Sequence, residues 1–174
     1  MRVLKYLSIL MMGVVCCMTT SCSSDNEDDG SDGSKAVVVD GATTSFAYGF
    51  YDLEDEGYLH MEFSNVNLAN RASVESAKKM DVVALTMQIG DAKDIKEGTF
   101  QAGMEYFSME PATATYSASG VGIVNVTIKK DGTNYSVTIP KTEITFYPDA
   151  DETKAKKASF TFNYHGAMTY YSDF

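Results

Sequence analysis

Residues 159–170 read SFTFNYHGAMTY and form the longest stretch of the chain in which apolar and polar side chains alternate. Phe160, Phe162 and Tyr164 occupy alternate positions, with threonine and asparagine between them. Successive side chains of a β-strand point to opposite faces of a sheet, so one face of this segment is apolar and the other polar. The stretch therefore predicts a strand that covers a hydrophobic core with one face and contacts water with the other.

The same alternation recurs earlier in the chain, in residues 58–64, 83–89, 124–129 and 135–139. Between the last two segments, a polar stretch around Gly132 predicts a hairpin loop. The pattern as a whole predicts an all-β domain of about eight to ten antiparallel strands. Its expected form is an antiparallel β-sandwich, and the alternative is a lipocalin-like up-and-down β-barrel.

Two places are expected to interrupt the strands. Pro140 has no amide hydrogen to donate to a neighbouring strand, so it predicts the end of a strand or a bend. Residues 70–80 lack the alternation and predict one short helix. Asn70 is its expected N-terminal cap, and Lys78 and Lys79 are expected in its last turn, where the helix dipole favours cations.

The first residues of the chain have the layout of a cleavable secretory signal. Arg2 and Lys5 precede an apolar run that covers residues 6–18. As a helix this run would be roughly 20 Å long, whereas the hydrocarbon core of a bilayer is about 30 Å thick. The run is too short to span a membrane, and we therefore expect residues 1–21 to be a signal peptide.

The predicted signal ends in MTTSC, residues 18–22, where small residues lead into a cysteine. This arrangement resembles the lipobox of bacterial lipoproteins of the Bacteroidetes type, with Thr19 where that family usually has leucine. The resemblance implies cleavage before Cys22 and attachment of fatty acyl chains, such as palmitate, to its thiol. Cys16 and Cys17 are the only other cysteines, so Cys22 has no disulfide partner in the mature chain. The alternative is an ordinary signal peptide followed by an incidental cysteine.

Residues 23–34, SSDNEDDGSDGS, contain carboxylates, serines and glycines but no cation and no apolar side chain. Such a segment cannot bury enough apolar area to offset its ordering entropy, so residues 22–34 are expected to be a disordered tether. A serine-and-acid run directly after the lipidated cysteine resembles the surface-export signal of Bacteroidetes lipoproteins. The resemblance implies an outer-membrane protein that faces the cell exterior, and the alternative is the periplasmic face. The remaining residues, 35–174, have the length of one all-β domain.

The composition argues against several classes of function. A formal net charge of −10 disfavours nucleic acid and anionic lipid headgroups as partners. Residues 35–174 contain no cysteine, which excludes a cysteine nucleophile and a thiolate metal site there. No Gly-x-Ser-x-Gly elbow, phosphate-binding glycine loop or His-Glu-x-x-His pair occurs, and His60 and His165 lie far apart on polar strand positions. We therefore expect no enzyme; a hydrolase with an unrecognised site is the alternative.

Acidic residues cluster in two predicted loops and make Ca²⁺ the one candidate cofactor. Carboxylates at alternate loop positions suit a hard cation that prefers oxygen ligands, although neither loop matches an EF-hand. The alternative, which also applies to Asp91 and Asp94, is that these side chains are solvated turn residues of an acidic protein. The candidate ligands are Asp52, Glu54, Asp55, Asp149, Asp151 and Glu152.

Eleven tyrosines and no tryptophan are the other distinctive feature. Tyrosines on inward strand positions are core residues, whereas outward tyrosines that share one face can stack on sugars or on a peptide. The surface lipoproteins of Bacteroidetes that the chain resembles often bind glycans, so the resemblance makes a glycan the leading hypothesis for a ligand, and an outer-membrane protein is the other partner considered. The candidate ligand-binding residues are Tyr48, Tyr51, Tyr58, Tyr116, Tyr147 and Tyr171. The chain is thus expected to be a non-catalytic binding or accessory module.

Arg71 favours an alternative in which the chain is a structural or adhesion subunit. It is the only arginine that follows the predicted signal peptide. The chain resembles Bacteroidetes fimbrillins in this respect, since they are lipoproteins matured by an arginine-specific cut. A neighbouring subunit's strand then fills the opened groove, which is β-strand addition. The resemblance implies processing at Arg71, and an ordinary surface arginine is the other interpretation.

Overall fold

The computed structural model describes residues 35–54, 57–91 and 93–171. Some of the predictions lie outside these ranges and stay predictions. They concern the signal peptide (residues 1–21), Cys22, the tether and the calcium candidate Asp55.

Ten strands, one short α-helix and one single-turn 3₁₀ helix follow one another along the described residues. Their bounds are β1 Ala36–Val39, β2 Ala42–Ser45, β3 Tyr48–Glu54, β4 Tyr58–Ser64, α1 Arg71–Ser76, β5 Met80–Gln88, β6 Gly98–Glu110, β7 Thr115–Asp131, β8 Asn134–Pro148, the 3₁₀ helix Glu152–Lys154, β9 Lys156–Gly166 and β10 Thr169–Tyr170. The prediction of an all-β domain with eight to ten strands and one short helix is confirmed. None of the described helices is long and apolar enough to cross a membrane.

One sheet contains all ten described strands, in the order β10-β3-β4-β5-β6-β7-β8-β9-β1-β2. From β3 to β9, strands that follow each other in sequence are antiparallel neighbours. The two ends of the described chain depart from this order. The first strand, β1, pairs with β9 and carries β2 on its other side, while β10 pairs with β3 in parallel. The sheet curls into a half-barrel, which is consistent with both the sandwich and the barrel-like form.

The hydrophobic core lies on one face of this curled sheet. Leu59, Met61 and Phe63 are fully buried on that face of β4, and the register continues it across the neighbouring strands. Met61 lies opposite Leu85, and Leu85 lies opposite Met104. We call this the concave face and the opposite one the convex face. The core contains, among others, the aromatic residues Phe46, Phe63, Tyr106, Tyr135, Phe160, Phe162 and Tyr164.

The long alternating stretch behaves as its pattern predicts. Residues 159–166 belong to β9, and their apolar members Phe160, Phe162 and Tyr164 are buried in the core. Tilted ring contacts, with centroids 4.8 Å apart, join Phe63 of β4 to both Phe162 and Tyr164. These contacts connect the two ends of the sheet across the concave face, because β4 lies near one end and β9 near the other.

The helix is shorter than the sequence predicts. Asn70 does cap it, because its side chain accepts a hydrogen bond from the amide of Ser73. The helix ends at Ser76 because Ala77 takes extended backbone angles, so Lys78 and Lys79 follow the last turn instead of lying in it. Extended backbone there leads the chain directly into β5.

The predicted hairpin loop is observed where the sequence places it, and the predicted interruption at Pro140 is an irregularity inside a strand. Gly132 lies in a two-residue hairpin loop between β7 and β8, with the positive φ of 60° that glycine adopts without strain. Pro140 does not end its strand, but the pairing of β8 with β9 shifts register between Ile139 and Thr142. The proline therefore marks an irregularity inside β8, as expected for a residue that cannot donate to the ladder.

Candidate functional site

The two histidines lie on the convex face, each beside a hydroxyl of the neighbouring strand. His60 Nδ1 is 2.9 Å from the Thr86 hydroxyl oxygen, and His165 Nδ1 is 2.9 Å from the Ser136 hydroxyl oxygen. The Nε2 atom of His60 also lies 3.3 Å from a carboxylate oxygen of Glu54. The two imidazoles lie on β4 and β9, and each contacts a hydroxyl of the neighbouring strand. Both histidines therefore contribute to strand pairing.

The acidic loop residues within the described ranges have local partners. Asp151 caps the 3₁₀ helix by accepting hydrogen bonds from the Thr153 amide and hydroxyl, which lower its pKa. Lys154 Nζ lies 3.3 Å from Asp149 and 3.5 Å from Asp151. The side chain of Asp52 accepts a hydrogen bond from the Leu53 amide.

The calcium hypothesis gains no support from this arrangement. Among the described residues, no three His, Asp or Glu side chains are grouped so that they could hold a metal ion. Glu152 is exposed at the start of the 3₁₀ helix, and Asp91 is exposed as well. Asp94 accepts hydrogen bonds from the Ile95 amide and from Lys130, which lower its pKa. Because Asp55 lies outside the described residues, the calcium site stays a prediction.

A buried polar cluster that the sequence did not predict lies at one end of the concave face. Of the described charged side chains, only Asp81 is buried. The Tyr106 hydroxyl donates to Asp81 at 3.2 Å, and Lys79 Nζ lies 3.1 Å from its other oxygen. Burial, together with the charge of Asp81, raises the pKa of Tyr106. No buried side-chain nitrogen or oxygen in the described ranges lacks a hydrogen-bond partner, so this cluster is a completed structural network.

Two carboxyl groups lie on the convex face with one small residue between them. Glu62 of β4 is opposite Ala84 of β5, and Ala84 is opposite Glu105 of β6. Burial raises the pKa of Glu62 to about 7, and the charge of Glu105 adds to this effect. Burial also raises the pKa of Glu105. Glu62 is therefore partly protonated near neutral pH.

An aromatic surface lies beside this pair, farther along the convex face. Its members are Phe107, Tyr116 and Tyr147, which we call the aromatic platform. The ring centroids of Phe107 and Tyr116 are 5.8 Å apart in an edge-to-face contact, and Tyr116 is 40% exposed. Phe107 and Tyr147 both lie opposite Ser119, one on each side. Two strand spacings separate these two residues, roughly 10 Å, with only a serine side chain between them.

A cleft of about 400 Å³ lies near the ends of the sheet, where the start of β3 passes the turn between β9 and β10. We call it the seam cleft. A Cβ atom on Gly49 would lie 2.5 Å from the Met168 sulfur and 2.9 Å from the Tyr164 ring, so any larger residue would have to displace these two side chains. The residues that line the cleft are Lys35, Ala47, Tyr48, Gly49, Phe50, Asn67, Ala69, Tyr164, Ala167 and Thr169.

The six tyrosines named from the sequence do not form one surface. Tyr116 and Tyr147 lie together on the aromatic platform, whereas Tyr48 lines the seam cleft. Near that cleft, Phe50 contacts both Tyr48, at 6.4 Å between ring centroids, and Tyr171, at 6.0 Å.

The remaining two tyrosines lie away from both surfaces. Tyr51 packs against the core and against Tyr170, with ring centroids 5.5 Å apart. Tyr58 is half-buried at the start of β4, opposite Glu54 and Gln88. Neither position adds a ring to the aromatic platform or to the lining of the seam cleft.

Arg71 is exposed at the start of α1. Its side chain forms an ion pair with Glu75, one helical turn later, at 2.6 Å. Cleavage after Arg71 would disconnect the segment that contains β1 to β4 from the rest of the chain. In the intact chain, β1 pairs with β9 and β4 pairs with β5. The processing hypothesis is untested and stays a prediction.

Similarity to known proteins does not assign a role to any of these surfaces. No protein-family model matches the chain, and searches of curated proteins and of solved structures found no match.

Proposed function

We propose that the chain is a membrane-anchored, non-catalytic binding module that recognises a glycan on its aromatic platform. The lipid on Cys22 anchors it in the outer membrane, and the acidic tether holds the domain on the exterior side. The observation that carries the proposal is the position of Phe107, Tyr116 and Tyr147 on the convex face, where Tyr116 is exposed and the other two residues are half-buried.

The platform has the properties that stacking on sugar rings requires. Its residues lie on β6, β7 and β8, and Phe107 and Tyr147 both pair with Ser119 of β7, so the backbone at these two rings is held in the sheet. Aromatic faces present apolar area at a small cost in conformational entropy. Ser119, between two of the rings, leaves room for a bulky ring and offers a hydroxyl for hydrogen bonding.

Charge narrows the class of glycan that this surface favours. The chain carries a net charge of −10, and Glu105 lies on the convex face two residues before Phe107. An anionic polysaccharide would be repelled, whereas sugar hydroxyls can donate hydrogen bonds to carboxylates. A neutral glycan is therefore the ligand class proposed for the platform.

A second candidate function is glycoside hydrolysis, and one specific observation favours it. Glu62 and Glu105 lie two strands apart on the same face as the platform, and the pKa of Glu62 is raised to about 7. Paired carboxyl groups, one of them with a raised pKa, are the groups that acid–base cleavage of a glycosidic bond uses. We rank it second because neither glutamate lines the seam cleft or the hollow over β8 and β9, the two clefts described for residues 35–171.

The platform is tested by screening the full chain against an array of neutral glycans. Binding to one or more glycans is expected, and Tyr116→Ala should weaken it by about tenfold or more because a stacking ring is lost. Tyr170→Ala is the matched control, because Tyr170 is 56% exposed and lies off both the platform and the lining of the seam cleft. Equal losses of glycan affinity in the two variants, or unchanged affinity in Tyr116→Ala, would contradict the proposal.

The same preparation separates binding from hydrolysis. A binding module releases no reducing ends from a bound glycan, and Glu62→Gln and Glu105→Gln leave that result unchanged. Turnover that disappears in either glutamine variant while binding persists would replace the first function with the second.

The anchor is tested with Cys22→Ala. The wild-type chain should incorporate labelled palmitate, remain with the membrane fraction and be removed by protease added to intact cells. The variant should lose the label and leave the membrane fraction, since the acyl chains supply the membrane affinity. A wild-type chain that takes up no label contradicts the lipid anchor, and a labelled chain that protease cannot reach places the domain on the periplasmic face.

A further inference from the structure

The seam cleft differs in charge from the rest of this acidic chain. The sequence has 24 acidic against 14 basic residues, yet no Asp or Glu is among the described residues that line the cleft. Lys35 is the only charged residue of that lining. The cleft is therefore a locally positive place on a negative protein, which favours an anionic ligand.

The Lys35 ammonium group can donate more hydrogen bonds than its observed contacts use. It lies 5.2 Å from the centroid of the Tyr164 ring, which is a cation–π contact. Within the described ranges it forms no ion pair, whereas Lys157, which lines a second hollow over β8 and β9, lies 3.4 Å from Glu143. An ammonium has three donor hydrogens, and a ring face occupies few of them. A carboxylate in the seam cleft would supply the missing partner.

The other polar groups of the cleft suit the rest of a small ligand. Tyr48 is 39% exposed, and its ring stacks on Phe50 at an interplanar angle of 20°, which holds the ring in place. The side-chain oxygen of Asn67 accepts a hydrogen bond from the Ala69 amide, so its NH₂ group is turned away from that contact and can donate. Thr169 is exposed and adds a hydroxyl.

We propose that the seam cleft binds a carboxylated monosaccharide. Lys35 pairs with its carboxylate, the ring of Tyr48 covers one face of the sugar, and Asn67 and Thr169 hydrogen-bond to its hydroxyls. A volume of about 400 Å³ is in the range of small-molecule sites. The site is separate from the aromatic platform, so either proposal can fail without the other.

Calorimetric titration of the full chain with glucuronate, and in parallel with glucose, tests this site. Glucuronate should bind saturably, and glucose should bind at least about tenfold more weakly because it lacks the carboxylate. Lys35→Gln should reduce glucuronate affinity by at least about tenfold and leave glucose affinity unchanged. Tyr48→Ala should weaken both sugars.

Matched controls separate a lost contact from a lost fold. Lys157→Gln removes a lysine that already has a carboxylate partner, and Tyr116→Ala removes an equally exposed tyrosine elsewhere, so both should leave glucuronate binding unchanged. Thermal unfolding of each variant verifies that the domain is intact. The proposal is overturned if glucuronate does not bind, if glucose binds as well as glucuronate, or if folded Lys35→Gln retains wild-type affinity.

Discussion

The concave and convex faces of the sheet are built from the same strands but have different chemistry. On β4, Met61 is fully buried on the concave face, while the next residue, Glu62, is a half-buried acid with a raised pKa on the convex face. On β6, Tyr106 is buried and hydrogen-bonded to Asp81, while the next residue, Phe107, is half-buried on the aromatic platform of the convex face. Adjacent residues of one strand therefore lie in the core and on the opposite face, because a strand alternates its side chains between faces.

The largest expected effect comes from equal truncations on the two faces. Phe162→Ala removes a fully buried ring of the concave face and should lower the free energy of unfolding by about 3–5 kcal/mol, because it leaves a cavity. Phe107→Ala removes the same side chain from the half-exposed platform and should cost only about 1–2 kcal/mol.

Urea unfolding of the two variants measures this difference. Glycan binding gives the opposite order, because Phe107→Ala should weaken it and folded Phe162→Ala should not. Similar losses of stability in both variants would show that the two faces are not specialised in this way.

A smaller effect concerns pH and the convex face. The pKa of Glu62 is about 7 in the folded chain, whereas the ordinary pKa of a glutamate is 4.5. Between these two pH values the folded state retains a proton that the unfolded state has released. Stability should therefore fall as pH rises from about 4.5 to about 7. Glu62→Gln removes this loss and should stabilise the domain by about 2 kcal/mol at pH 8, with little effect at pH 4.

Thermal or urea unfolding between pH 4 and pH 8 checks this prediction. The matched control is Glu143→Gln, an exposed glutamate paired with Lys157, which should leave the shape of the pH profile unchanged. If stability depends on pH in the same way in wild type and Glu62→Gln, the convex face does not hold a protonated carboxyl group.

The strands were predictable because each one needs only its own residues to display alternation. The closure of the sheet could not be predicted, since it depends on pairing between segments that are distant in sequence. Val37 lies opposite Phe162, and Thr169 lies beside Phe50 in a parallel pair. Short strands such as β2 and β10 carry too few residues to show a period, and only the folded chain reveals their partners.

The candidate sites were predictable to a smaller extent. Tyr116 and Tyr147 were among six tyrosines that the sequence left outside the clear core positions. Their neighbour Phe107 was missed because it follows Tyr106 directly and two adjacent aromatics hide which one faces out. Asp81 interrupts the apolar residues at the start of β5, and that interruption was the available signal for a buried charge. Lys35 was overlooked because it lies at a predicted domain boundary, where its cleft is formed only by residues distant in sequence.

The position of β1 has a mechanical consequence. This strand is hydrogen-bonded on both sides, to β9 through Ala36–Val39 and to β2 along the same residues, and it directly follows Lys35. Tension along β1 from the preceding residues would shear both ladders at once, so many hydrogen bonds would have to break together instead of opening one by one. A domain held by that end could bear a sustained pull from a bound ligand or from flowing liquid before it unravels.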